Sequence, residues 1–266
     1  MKRIVRIELL KIKSYSTFWV LTALYFLILI TIFFSGKFFL DFLAKKGENL
    51  GNFIDPSRIP IYDFPDVWHN LTYVTGFLKF ILAIYILISI TNEINYGTIR
   101  LNIMNGLSRW EFLISKLVLV LILSVASTLF ILVAGFILGF IYSENIEIID
   151  IITYMVFIPG YLLQIFTYLI FALFIGLLIK RTGLSMGLLF LYTLIIEPII
   201  TFRIKTEWVK GLFPLKAINN LIRVPFAKYA FREVQDYIAW DDALIAIIYL
   251  IIFISLLYLI LKKRDL

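Results

Sequence analysis

The 266-residue chain is 62% hydrophobic, 17% aromatic and 16% charged, with a formal net charge of +7. A soluble globule carries roughly 25% charged residues and a disordered chain few aromatics, so both are excluded. An outer-membrane barrel would alternate apolar and polar residues over segments of about 10. Here the apolar runs are long and continuous, which predicts an all-α polytopic membrane protein. With no Cys and a single His, His69, the sequence also excludes disulfides, thiolate metal sites, iron–sulfur clusters and a Cys nucleophile.

Residues 1–13 are basic with interleaved Ile, Val and Leu, and predict an N-terminal helix at the membrane interface, the alternative being an orientation signal with no further role. Lys2, Arg6 and Lys13 share its polar face and Lys11 falls elsewhere. A span needs roughly 20 apolar residues. Six stretches qualify: 14–36, 67–92, 117–143, 151–179, 182–202 and 243–261. The first is longer than the apolar part of a cleaved signal and reads as an uncleaved anchor. Between spans one and two, 41–70 holds Gly47, Gly51, Pro56, Pro60 and Pro65 and predicts a mostly irregular loop. His69 at its end reads as solvated. A short acidic loop with Glu144, Glu147 and Asp150 precedes span four. Within that span, Pro159-Gly160 predicts a bend, and Gln164 predicts a hydrogen bond between helices. The segment 203–242 places Leu215, Ile218, Leu221 and Ile222, then Val234, Tyr237 and Ile238, at helical spacing. It predicts one or two short helices lying on or dipping into the outer leaflet. Gly135/Gly139, Ala172/Gly176 and Gly183/Gly187 are four-residue small pairs that predict close helix packing.

Six spans put both termini on one side. The segments on that side hold 13 basic and four acidic residues, and the remainder 12 and 14, so the two sides carry +9 and −2. The positive-inside rule places both termini in the cytoplasm, with the chain multi-pass in the cell (inner) membrane as a single domain, 1–266. Two charges lie inside spans, Lys79 and Glu197. Such charges face a cavity or a partner, which makes the two candidates for lining a pathway. The alternative is a snorkelling Lys79 and a Glu197 exposed at a helix end beside Pro198.

The stretch 91–116 between spans two and three carries the most information. Gly106 is placed to stop one helix. Ser108 and Glu111 form a capping box that starts the next, with Arg109 and Trp110 at the tip of the turn. This stretch resembles the ABC-2 family of ABC-transporter permeases. The resemblance rests on Glu93 at the end of span two, Gly97-Thr98, a short helix, then Ser108-Arg109, Glu111 and Lys116. Gly106-Leu107 stands where many members carry a Pro before the Ser-Arg pair. Phe213-Pro214-Leu215 is similar to an aromatic-Pro segment common in the family.

The resemblance implies a transmembrane permease subunit of an ATP-driven exporter. Its cytoplasmic coupling helix would dock on a separate ABC ATPase, present in two copies, through Glu93, Gly97, Thr98, Ser108, Arg109, Trp110 and Glu111. A second permease subunit, the same or a related chain, and membrane lipids complete the partners, with no nucleic acid. This chain would bind no cofactor, ATP and Mg belonging to the ATPase. In agreement, the sequence contains no GxxxxGK[ST] phosphate loop. Neither clustered metal ligands nor a Ser-His pairing supports a membrane-embedded enzyme. The competing reading is a non-transporting anchor or force-transmitting subunit of a similar complex.

Overall fold

The computed structural model describes residues 2–47, 60–144, 146–225 and 237–263. The described residues are helices and turns, and six of the helical segments are long and apolar enough to cross a membrane. α1 (Lys2–Ser14) precedes α2 (Ser16–Gly47), the first span. α3 (Asp66–Asn95) is the second span, and short α4 (Thr98–Met104) joins it to α5 (Arg109–Tyr142), the third. α6 (Ile148–Ile152) and α7 (Phe157–Ile179) form the fourth. The fifth is α8 (Thr182–Leu191), a wider π turn (Tyr192–Ile196) and α9 (Glu197–Arg203). Short α10 (Glu207–Gly211) and α11 (Pro214–Asn220) lead toward the last span, α12 (Trp240–Lys263). The end of the bundle that carries α1, α4 and the last turn of α12 is called here the terminal end, and the opposite one the far end.

α7 is the hub. It is apolar on every side, as a helix surrounded by others must be, and it packs against α3, α5, α8, α11 and α12. Halfway along the bundle, a buried trio ties spans one, three and four: the Tyr25 hydroxyl lies 2.6 Å from Ser127 Oγ and 3.1 Å from the Tyr161 hydroxyl. Without water to bond them, such groups hold neighbouring helices together. The outer faces of α2, α5 and α12 present large apolar side chains, among them Phe34, Val133 and Ile251, as lipid-facing helices do.

Several elements depart from the sequence expectation. α2 continues eleven residues past Gly36 to Gly47, because 37–46 is charged but holds no helix breaker. Its 32 residues reach about 48 Å, well beyond a hydrocarbon layer of about 30 Å. The expected loop 41–70 is therefore shorter, and most of it, 48–59, lies outside the described residues. Span four does not bend at Pro159. The chain breaks earlier, between Ile152 and Phe157, and Pro159 sits in the first turn of α7, where no intrahelical donor is lost. His69 is not solvated. It is 3% exposed, stacks on Phe157 at 4.0 Å and lies 2.9 Å from the Arg223 carbonyl. Of the two arrangements expected for the outer helices, α11 takes the inserted one: Leu215 and Ile218, and Leu221 and Ile222 just after it, are buried, and the helix packs on α7 and α12. The second expected outer helix, around Val234, falls mostly outside the described residues.

The small-residue pairs divide in two. A methyl group on Gly135 would come within 2.4 Å of the Trp68 ring, and one on Gly139 within 2.3 Å of Phe64. Both glycines are sockets for aromatics that enter span two. A methyl on Gly176 would meet Ile90 at 2.6 Å. Gly183 and Gly187 meet nothing within 4 Å, so they pack against no other part of the described chain. Gly135→Ala must displace Trp68, whose indole N–H donates to the Ile151 carbonyl at 2.8 Å. The expected cost is about 1–3 kcal/mol from overpacking, against under about 0.5 kcal/mol for Gly183→Ala. Denaturant unfolding of the two variants in the same micelles, followed by tryptophan emission, checks this.

Candidate functional site

At the terminal end, two lysines and two glutamates from three helices alternate in one cluster, buried except at Lys11. Glu93, on the last turn of α3, accepts from Lys11 Nζ of α1 at 2.7 Å and from Lys116 Nζ of α5 at 2.9 Å. Lys116 also pairs with Glu8 of α1. Lys116 is 1% exposed, and Glu8 and Glu93 are nearly as buried. Burial pulls the Lys11 pKa down, but Glu93 and Glu8 outweigh it and hold the group above the ordinary lysine value. Next to the cluster, the Asn92 amide donates to the Tyr15 hydroxyl at 2.9 Å.

Glu93 is also the root of α4. Its backbone carbonyl, one of the orphan acceptors at a helix end, accepts the Thr98 hydroxyl at 3.1 Å. Gly97 turns the chain from α3 into α4 with φ +66°, a left-handed conformation that costs glycine nothing. Gly106, with φ +90°, ends α4 in the same way. Ser108 then starts α5. Its side chain accepts the Glu111 N–H at 3.2 Å, and the Glu111 carboxylate accepts the Ser108 N–H at 2.9 Å. α4 buries Ile99 and packs Ile103 inward, while Arg100, Leu101 and Met104 point outward. With Tyr96, 75% exposed, they make an apolar face with one cation at its edge.

Arg109 and Trp110 are not at a free tip. Arg109 Nη1 donates to the Lys262 carbonyl at 2.7 Å, where a cation suits the C-terminal end of α12. Trp110 meets Tyr258 of the same helix edge-on, with ring centroids 5.5 Å apart. These two residues tie the start of span three to the end of span six, and the outward surface belongs to α4.

Toward the far end, α3, α7, span five and α11 enclose a cavity of about 1220 Å³. Lys79 lines it, thirteen residues from the start of the 30-residue α3. Its ammonium donates to Asn219 Oδ1 at 2.5 Å and lies 4.9 Å from the centre of the Tyr168 ring. Gln164 also lines the cavity. Its amide nitrogen is 3.5 Å from Asn219 Oδ1, so its partner is on α11 rather than on another span.

Glu197 is buried but is not among the cavity-lining residues. It accepts the Lys216 backbone N–H at 2.5 Å in the first turn of α11, satisfying an orphan donor there. Lys79 and Glu197 interact electrostatically but form no ion pair within 4 Å. Pro198 follows the π turn and explains it: a proline can neither donate to nor clear the carbonyl four residues back, and the wider turn relieves both constraints. At the cavity mouth, Arg223 and Asp242 pair at 2.9 Å. Sequence reading missed Asn219, Tyr168 and His69 at this site. A proline-bounded short helix rich in Asn was the available signal for Asn219.

Among the described residues, no group of His, Asp and Glu could hold a metal ion. A family model described as ABC-2 family transporter protein matches residues 3–266. None of the curated proteins matches the sequence.

Proposed function

The chain belongs to the ABC-2 transporter family, a membrane permease component of an ABC transporter that associates with an ABC ATPase, and from that premise we propose that it is the permease of an ATP-driven exporter. The terminal end faces the cytoplasm, in keeping with the concentration of basic residues there. Two copies of a separate ATPase bind and hydrolyse ATP with Mg. The outward face of α4 seats in a groove on that ATPase with an apolar floor and an acidic rim for Arg100. The observation that carries this reading is the construction of α4: an exposed apolar face on a helix rooted through Glu93 in a buried charge cluster. Movement of α4 therefore pulls on α1, α3 and α5 together. Ser108 and Glu111 fix where α5 begins, and Arg109 and Trp110 pass the motion to α12. A second permease subunit, in our reading another copy of this chain, packs on span five, where Gly183 and Gly187 leave room for a close backbone approach.

The far-end cavity favours transport over a purely force-transmitting role, since an anchor has no need of a cavity with a cation in its wall. The test is coexpression of the tagged chain with the ABC ATPases of its own cell, followed by purification in mild detergent. An ATPase that is retained, and whose ATP hydrolysis depends on the chain, supports the proposal. Retention of none, with the chain folded, overturns it.

A further inference from the structure

We propose that the far-end cavity is a binding site for an anionic amphiphile, with a phosphate or carboxylate head group held by Lys79 and an apolar chain leaving between spans two and five. The proposal deepens the transport reading by naming the class of molecule, and only the cavity's part in export rests on that reading. Binding itself needs no ATPase.

Two polar groups in the cavity wall are incompletely matched. The Lys79 ammonium has three donors and a full charge. Its near neighbours are neutral, an Asn219 oxygen and the Tyr168 ring, and among the described residues no carboxylate lies within 4 Å, Glu197 acting on it from farther away. Lys79 is 7% exposed and about halfway along a membrane helix, where a charge without a close ion-pair partner is expensive and marks a pathway or a ligand. The second group is Gln164 Oε1. It is buried without a hydrogen-bond partner, on a residue 4% exposed. Gly76 also lines the cavity, and a methyl group there would come within 3.3 Å of this oxygen, so the glycine leaves the approach to it open. An anion beside a hydroxyl or N–H donor would satisfy both groups at once.

One side of the wall, away from the charged mouth formed by Arg223, Asp241 and Asp242, supplies the apolar half of the match. Tyr73, Phe77, Phe80, Phe190 and Leu194 line the same space. Phe80 and Phe190 meet at 5.4 Å and close the gap between α3 and α8 on one side. Phe77 on α3 and Leu194 on the π turn are each more than 60% exposed while lining the cavity, so they flank an apolar opening between spans two and five. A small free anion would leave most of the 1220 Å³ empty. A head group with part of its chain fills it.

The experiment is native mass spectrometry of the full chain in neutral detergent. It is titrated with phosphatidylglycerol, with phosphatidylcholine and with glycerol phosphate alone. Wild-type protein is expected to prefer phosphatidylglycerol, whose net charge suits Lys79 and whose hydroxyls can donate to Gln164 Oε1, over phosphatidylcholine, whose choline cation offsets its phosphate and donates nothing, by about tenfold or more. Lys79→Met, similar in volume, should remove that preference, and Gln164→Leu should weaken binding of the same lipid. Glycerol phosphate alone should not compete. A preference that survives Lys79→Met, or no preference at all, overturns the site, because anion binding would then belong to surface lysines. Competition by glycerol phosphate at equal concentration overturns the amphiphile. Thermal unfolding of each variant, alongside, shows that the fold is kept. ATPase retention measured on the same preparations separates the two readings: a retained ATPase without an anion preference removes the cavity assignment and leaves the permease standing.

Discussion

Lys116→Met is expected to destabilise the protein by about 3–5 kcal/mol, the range for removing one partner from a buried ion pair. The reason is charge balance. Glu8 and Glu93 are balanced in the fold by Lys116 and Lys11, and of the two cations only Lys116 is fully buried. Removing it leaves two buried carboxylates sharing one ammonium whose side chain is 40% exposed. Lys11→Met removes the more solvated cation and is expected to cost about 1 kcal/mol or less. Lys116→Met combined with Glu8→Gln restores one carboxylate to one cation. The double variant should recover at least half of the lost stability, a coupling that independent sites do not show. Denaturant titration in detergent micelles measures all four proteins. Hydrogen exchange gives the local signature: amides of α1 should lose protection in Lys116→Met, since Glu8 and Lys11 are what hold that helix to α3 and α5.

The same cluster shows what a single sequence can and cannot reveal. Span positions are legible because uncharged runs of 20 or so residues have one physical outcome in a cell, and all six appear as helices. The capping box at Ser108 and Glu111 is legible because its two partners are three residues apart. Helix α2 is misjudged at its end because hydropathy stops at Lys37 whereas helix propensity does not. The pairing of Lys116 with Glu8 spans 108 residues, and that of Lys11 with Glu93 spans 82. Nothing local announces either one. Arg109 illustrates the same limit at a candidate site. Its position in the motif is readable, but its bond to the Lys262 carbonyl, 153 residues away, is not. Lys79 and Glu197 were recognisable as intramembrane charges; that one lines a cavity and the other caps α11 depends on where α11 folds back.

Replacing Leu101 and Met104 together by glutamate is expected to lower affinity for the ATPase by about a hundredfold or more while leaving the membrane bundle intact. Both side chains are more than half exposed on the chain itself, at 55% and 74%, so the substitution removes little internal packing. Burying two such side chains in a partner's groove is worth about 3 kcal/mol at the low end, which is the hundredfold. Two carboxylates against a groove suited to Arg100 add repulsion to that loss. Arg109→Glu provides the contrast. Its guanidinium is bonded to the end of α12, so reversing its charge sets a carboxylate against backbone carbonyls and should lower stability at the terminal end. The two variants therefore fail differently: Leu101→Glu/Met104→Glu keeps the wild-type unfolding midpoint and loses the ATPase, and Arg109→Glu loses stability first. The checks are ATPase retained on the tagged permease at increasing salt and thermal unfolding of the permease alone. Wild-type retention by Leu101→Glu/Met104→Glu would move the docking surface off α4. Loss of retention by Arg109→Glu at unchanged stability would put the guanidinium itself in the groove.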